Sequence, residues 1–245
     1  MLQKNFSHGV MFQAAYTFGK TLDNSSSFES ALNPYNFRAT YGPSAYDARQ
    51  RFVFNYVWDL PVPKMEGFKG VMLNGWELSG ILSFQSGFPI RITSAADIEQ
   101  LDSGFLFEPQ GEPNYAMPFK RLNPRATICN FGTGGTTGVP CSPISGFAFD
   151  PATFTNSTVP AGQIGNAPRT LCCGPGLNNW DMSFMKNTPL GEKMNLQFRA
   201  DIFNIWNHAQ FYSVDGNISN QGATFGQVQH VHDPRLIQFA LKLNF

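Results

Sequence analysis

The chain has 245 residues and a formal charge of zero, with 17 basic against 17 acidic side chains and only 14% charged residues. That balance excludes the basic excess or stripe of a nucleic-acid binder. The 24 phenylalanines, 23 glycines and 17 prolines suit strands and turns rather than helical bundles, and no apolar run approaches the length of a spanning helix.

Residues 1–10 hold no long apolar core and no small-residue cleavage site, so no signal peptide is visible. The first predicted strand follows, with Phe6, Val10, Phe12, Tyr16 and Phe18 on one parity opposite Ser7, Gln13 and Thr17. His8, alone beside that strand, is placed at a membrane interface. The second strand alternates more strongly, Phe52, Phe54, Tyr56, Trp58 and Leu60 against Arg51, Asn55 and Asp59. The third is expected to run from Trp76 through Leu78, Leu82 and Phe84 to Ile90 and Ile92, with Glu77, Ser79, Ser83, Gln85, Arg91 and Thr93 on its other face. The fourth sets Trp180, Met182 and Phe184 against Asp181, Ser183 and Asn187. The fifth sets Met194, Leu196, Phe198, Ala200 and Ile202 against Asn195, Gln197, Arg199 and Asp201, with a bulge expected near Phe203, where the parity slips. The last runs to the C-terminus: Ile237, Phe239, Leu241, Leu243 and Phe245 share one face, opposite Gln238, Ala240, Lys242 and Asn244. About ten residues is what a tilted strand needs to cross a bilayer.

The connections are sorted by length. Those at 61–74 and 188–193 are short, whereas 20–48, 94–178 and 208–234 are long. Outer-membrane barrels have short periplasmic turns and long outer loops, and an up-and-down order of six strands puts both short turns on one side. The expected fold is therefore all-β: part of an antiparallel transmembrane barrel, apolar faces toward lipid and polar faces toward a wet lumen. A slightly negative mean hydropathy fits, because every second residue faces water. Arg51, Asn55, Glu77, Gln85, Arg91, Gln197, Arg199 and Asp201 are the expected lumen-facing polar residues. A secreted lectin-like sandwich binding carbohydrate, which would bury the same apolar faces against a second sheet, is the alternative from another class, and a passive porin is the alternative within this one.

Cys129, Cys141, Cys172 and Cys173 all fall in the longest loop. Outside the inner membrane, loop-stapling disulfides are the leading reading, with three pairings open. No Cys-x-x-Cys spacing supports zinc. His208, His230, His232 and Asp233 could ligate a metal, but a polar loop running into a strand is the favoured reading, so no metal and no cofactor is expected. No nucleophile elbow, phosphate loop, dinucleotide fingerprint or zinc-protease motif occurs, and no catalysis is expected.

Several stretches resemble the C-terminal barrel region of TonB-dependent outer-membrane receptors, the Oar-like group in particular. They are Gln3-Lys-Asn-Phe-Ser-His-Gly9 leading to Tyr16-Thr-Phe-Gly-Lys-Thr-Leu-Asp23, then Asp47-Ala-Arg-Gln-Arg-Phe52, Gly75-Trp-Glu-Leu-Ser-Gly80 and Gln85-Ser-Gly-Phe-Pro89. Gly174-Pro-Gly176, Phe203-Asn-Ile-Trp-Asn-His208 and Asp233-Pro-Arg-Leu-Ile-Gln-Phe239 complete the set. Their order covers almost the whole chain, and residues 95–167 least. The resemblance implies a receptor of about twenty-two strands in the outer membrane of a Gram-negative bacterium, with a plug and a TonB box, importing a large or scarce ligand. It implies contact with outer-membrane lipid, with the remaining barrel strands and plug, and with the TonB complex through an N-terminal region. It also casts the last strand, with Phe239, Leu241, Leu243 and Phe245, as the signal read by the barrel-insertion machinery. Plug, TonB box and most strands are missing here, so the chain is expected to be a C-terminal fragment of such a receptor.

Overall fold

The computed structural model describes residues 1–26, 38, 41–93, 114–115, 148–149, 151, 154–155, 167–171, 173–191 and 193–245. Its main element is one seven-stranded antiparallel sheet in which each strand pairs with its neighbour in chain order. We number these strands β1 (Leu2–Ser7), β2 (Val10–Phe18), β3 (Gln50–Asp59), β4 (Trp76–Gln85), β5 (Leu177–Leu190), β6 (Met194–Phe203) and β7 (Leu236–Asn244). The sheet is not closed: β1 and β7 are its two edges.

Register follows the alternation, since a slip of one residue would turn every apolar side chain to the wrong face. Phe12 pairs with Tyr56, Phe52 with Phe84, Trp58 with Leu78, Phe184 with Leu78, Phe198 with Leu241 and Ala200 with Phe239. The result is one continuous apolar face, and among the described residues no second layer covers it. Phe18 is 70% exposed, Phe239 and Leu241 are each 69% exposed, and Phe245 is 96% exposed. The sandwich alternative, which needs those side chains sealed against another sheet, is overturned.

Seven strands replace the six expected because the first is a hairpin. His8 and Gly9 have φ of 54° and 74°, the two positive values of a type I′ turn, and Ser7 pairs with Val10 across them. A register shift between Lys4 and Ser7 hides the reversal: the two-residue turn sets Ser7 opposite Val10, odd against even, and the shift restores even against even at Lys4 and Phe12. His8 is thus a turn residue.

Three further expectations are corrected. The connection between β3 and β4 contains a short helix, α1 (Gly67–Leu73). The third strand stops at Gln85, since Gly87 and Pro89 break it, and Ile90–Arg91 forms a separate ladder with Thr170–Leu171. Arg91 therefore lies outside the wall, and Ile90 and Ile92 are buried elsewhere. The parity slip after Phe203 is the strand's end, where Asn204 and Asn207 adopt φ of 50° and 51° and Asn207 N donates to Asn204 O at 2.8 Å.

All three short connections (8–9, 60–75 and 191–193) leave one end of the sheet, and all three long ones (19–49, 86–176 and 204–235) leave the other. The only buried apolar cluster among the described residues sits in the long connections. Ile90 and Ile92 from one stretch, Ala148, Phe149, Phe154 and Ala167 from a second, and Ile218 and Phe225 from a third come together, with Val214 and Val228 against them. Phe149, Phe154 and Phe225 meet edge to face, with centroids 5.1 to 5.8 Å apart, a favoured geometry for aromatic rings. Backbone bonds tie the stretches: Thr93 N donates to Gly216 O, Ile218 N to Thr93 O and Ala148 N to Gly226 O. The described parts of the long connections form a packed cap.

Candidate functional site: the polar face of the wall and its cap

Opposite the apolar face, the odd-numbered residues of β2 to β6 and the even-numbered residues of β7 form a polar surface. Seven of the eight residues expected there share it by register, Arg91 being the exception. Arg51 pairs with Gln85, and Asn55 with Gln13 on one side and Ile81 on the other. Glu77 pairs with Met185, which in turn pairs with Arg199. Gln197 and Asp201 lie farther along β6 on the same parity, opposite Asn187 and Ser183.

These residues pair with one another across and along strands. Asn55 donates to Gln13 Oε1 at 3.4 Å, Gln197 to Asn187 Oδ1 at 3.0 Å and Arg199 Nε to Asp201 Oδ1 at 2.8 Å. Cross-strand pairing lets a polar ladder stand on a sheet at low cost. A groove of about 360 Å³ runs across the middle of this face, lined by Asn55, Ser79, Asp181, Ser183, Arg199 and Asp201 among others. Nearer the cap, a second depression of about 420 Å³ shares Asp181 and Phe203 with it and adds Asn179, Asn204, Gln210, His232 and Asp233. Together they make a trough from mid-wall to the cap, with the carboxylates of Asp181, Asp201 and Asp233 and the Arg199 guanidinium in it.

Its upper end is fixed by residues that the alternation alone could not single out. Asn204 is 7% exposed and Gln210 is 4% exposed. Asn204 N donates to Asp181 Oδ1 at 2.8 Å, and its side chain donates to His208 O at 3.0 Å and accepts from His208 N at 3.1 Å. Gln210 accepts from Asn178 N at 2.9 Å and donates to Asn179 Oδ1 at 3.0 Å. A usable signal was present, since the two asparagines of Phe203-Asn-Ile-Trp-Asn-His208 suit left-handed turn positions. His230 and His232 flank the Tyr212 ring at 5.5 and 4.4 Å. Among the described residues no group of three His, Cys, Asp or Glu gathers to hold a metal.

A charged knot ties two of the long connections to each other. Arg169, 6% exposed, donates to the Asp23 carboxylate, to Ser26 Oγ at 3.2 Å and to Pro43 O at 3.3 Å. Thr170 Oγ1 donates to Pro43 O at 2.7 Å. Asp47, 1% exposed, accepts from Thr21 N at 2.7 Å. Burial pushes the Asp23 carboxyl up, yet hydrogen bonds with Ser44, Arg169 and Ser26 outweigh it and hold the group below its ordinary value. Asp215 behaves alike: burial raises it, and bonds from Thr224, Asn217 and Asn220 lower it further. Cys173 is disulfide-bonded; Cys129, Cys141 and Cys172 lie outside the described residues.

Phe239, Leu241, Leu243 and Phe245 all stand on the exposed apolar face at the edge β7. Aromatic side chains stand at both ends of that face, Tyr16, Phe18, Phe52 and Phe84 toward the cap and Trp58, Trp76 and Phe245 toward the short turns, with Phe54, Phe184 and Phe198 between them. Two aromatic girdles flanking an apolar band are the outer surface of a barrel in a membrane. Comparison with known families agrees: the family model described as an outer membrane beta barrel domain matches residues 1–238. No curated protein and no solved structure matches the chain. The chain belongs to the outer membrane β-barrel domain family, and its place is the bacterial outer membrane, with its apolar face against lipid.

Proposed function

We propose that the chain supplies the C-terminal wall and the ligand-facing outer cap of a TonB-dependent receptor similar to the Oar-like group, which imports a large or scarce ligand. The observation that carries this is the pair of open sheet edges. β1 and β7 are each bonded on one side only, and in hydrocarbon every unsatisfied backbone group costs several kcal/mol. Seven strands are also fewer than the roughly eight of the smallest membrane barrels. The wall therefore calls for further strands, and the motif series from Gln3 to Phe239 makes those of a large receptor the best fit.

In this reading the long connections face outward, the trough lines the lumen, and Asp181, Arg199 and Asp201 give a passing ligand polar contacts. The missing strands and plug complete the barrel, and the TonB complex acts through an N-terminal region. The insertion machinery reads Phe239, Leu241, Leu243 and Phe245. The chain has no catalytic role and needs no cofactor. Reading the genomic DNA upstream of the Met1 codon tests it: an in-frame extension encoding two-faced strands, a plug and a TonB box is expected. A stop codon with a signal peptide at a nearby start would overturn it. A passive porin would use the same wall, and an extension with strands but no plug would decide for it.

A further inference from the structure

We propose that α1 is an interfacial anchor whose apolar edge sits in the phospholipid leaflet at the short-turn end of the wall. The helix is seven residues long and departs from the usual burial logic. Phe68 is 79% exposed, Val71 51% and Met72 53%, with Met65 beside them at 37%. Positions 68, 71 and 72 fall on one side of a helix, whereas Gly70 is the buried position. An apolar edge this exposed has no protein partner among the described residues.

Its attachment says which solvent it meets. Asn74 Nδ2 donates to Met65 O at 2.9 Å, and Met65 N to Asn74 Oδ1 at 3.3 Å, so one side chain clasps both ends of the segment. Trp76 Nε1 donates to Met72 O at 3.0 Å, and Lys186 Nζ donates to Asn74 O at 2.6 Å while standing 5.4 Å from the Trp76 ring centre. Trp76 and Lys186 are register partners on the apolar, lipid-facing side of the sheet. The helix is thus fixed to the membrane side of the rim, continuous with the band of Leu78 and Phe184, and not to the lumen side. Lys64 and Lys69 are exposed on the same segment, where ammonium groups complement headgroup phosphates. An apolar edge bounded by lysines next to a rim tryptophan is the pattern of an interfacial helix, which buries its apolar side about 5–10 Å into the headgroup boundary.

The proposal rests on the lipid-facing wall, and its test separates the two. The full chain is reconstituted in phosphatidylethanolamine–phosphatidylglycerol vesicles as Phe68→Cys, Met72→Cys, Glu66→Cys or Leu241→Cys, each spin-labelled, with the unsubstituted chain as labelling blank. Relaxation by dissolved oxygen is compared with relaxation by a water-soluble nickel complex. Labels at 68 and 72 are expected to favour oxygen, as the label at 241 does, while the label at 66 favours nickel. If 68 and 72 match 66 while 241 stays in hydrocarbon, the anchor is refuted and a water-borne partner for α1 becomes the better reading. If 241 is also open to nickel, the wall reading falls and takes the anchor with it.

Discussion

The wall and the cap obey opposite rules with the same side chains. In the wall, Phe239 and Leu241 are 69% exposed, whereas in the cap Phe149 and Phe225 are 1% exposed. Hydrocarbon already solvates the wall's apolar face, so no core is required there. The cap stands in water and has to bury its phenylalanines against one another. Polarity is sorted by the same cause. Wall polar groups line an open groove, while cap polar groups such as Asp47 and Arg169 are buried and hydrogen-bonded within the cap. The two halves of this molecule have different solvents, and each has the interior that its solvent demands.

The contrast can be broken from either side. The largest effect is expected in the cap, where Phe225→Ala removes two of the three ring contacts and costs about 3–5 kcal/mol. Limited proteolysis of the vesicle-bound chain reads it: the connections become cleavable while the strands stay protected. Loss of strand protection as well would show that cap and wall are one cooperative unit. Next comes Leu241→Arg, which places a charge on the lipid face at a cost of about 2–4 kcal/mol near mid-membrane. Its neighbour Ala240→Arg, on the polar face, is expected to be nearly silent in the same urea titration in vesicles. Equal effects at the two positions would mean that both faces meet the same medium.

Acid gives a smaller, selective loss. Asp23 and Asp215 have native carboxyls below their ordinary 3.8. The stability they give is fully present above that value and is lost as pH falls through the lowered native one. Cap cleavage by an acid-active protease should rise in that window, while the heat-shifted gel mobility of the wall stays constant. The smallest effect belongs to Arg199→Gln. Its ion pair with Asp201 has Arg199 54% exposed, and such pairs contribute about 0–1 kcal/mol. A larger change in wall stability would mean that the groove is drier than its geometry implies.

Much of the wall was legible in the residues because its physics is local. Side-chain period is a property of each strand, and β3, β6 and β7 fall where Phe52–Trp58, Met194–Ile202 and Ile237–Phe245 alternate. Where alternation and turn chemistry collided, turn chemistry decided. His8-Gly9 reversed the chain within one run of even apolar positions, a register shift between Lys4 and Ser7 absorbing the turn's odd offset, and Gly87 with Pro89 cut off Ile90 and Ile92 although their parity continued. α1 was illegible for a related reason: seven residues are too few for a helical period to declare itself.

Of the trough, Asn55, Arg199 and Asp201 could be assigned to the polar face from spacing alone, since a strand's parity fixes its face. Asn204 and Gln210 could not, because the Asp181 carboxylate and the Asn178 N–H of β5 that they bond are brought near only by the folded return of the chain. The same holds for the cap. By itself the sequence determined which side of β2 to β7 is apolar, how the connections are sorted and that the wall belongs in lipid. The tertiary structure alone decided that Ile92, Phe154 and Phe225 share one interior and that Arg169 closes on Asp23. Those contacts join segments far apart in the chain, with no period to announce them, and exist only once the strands beneath have set the loops side by side.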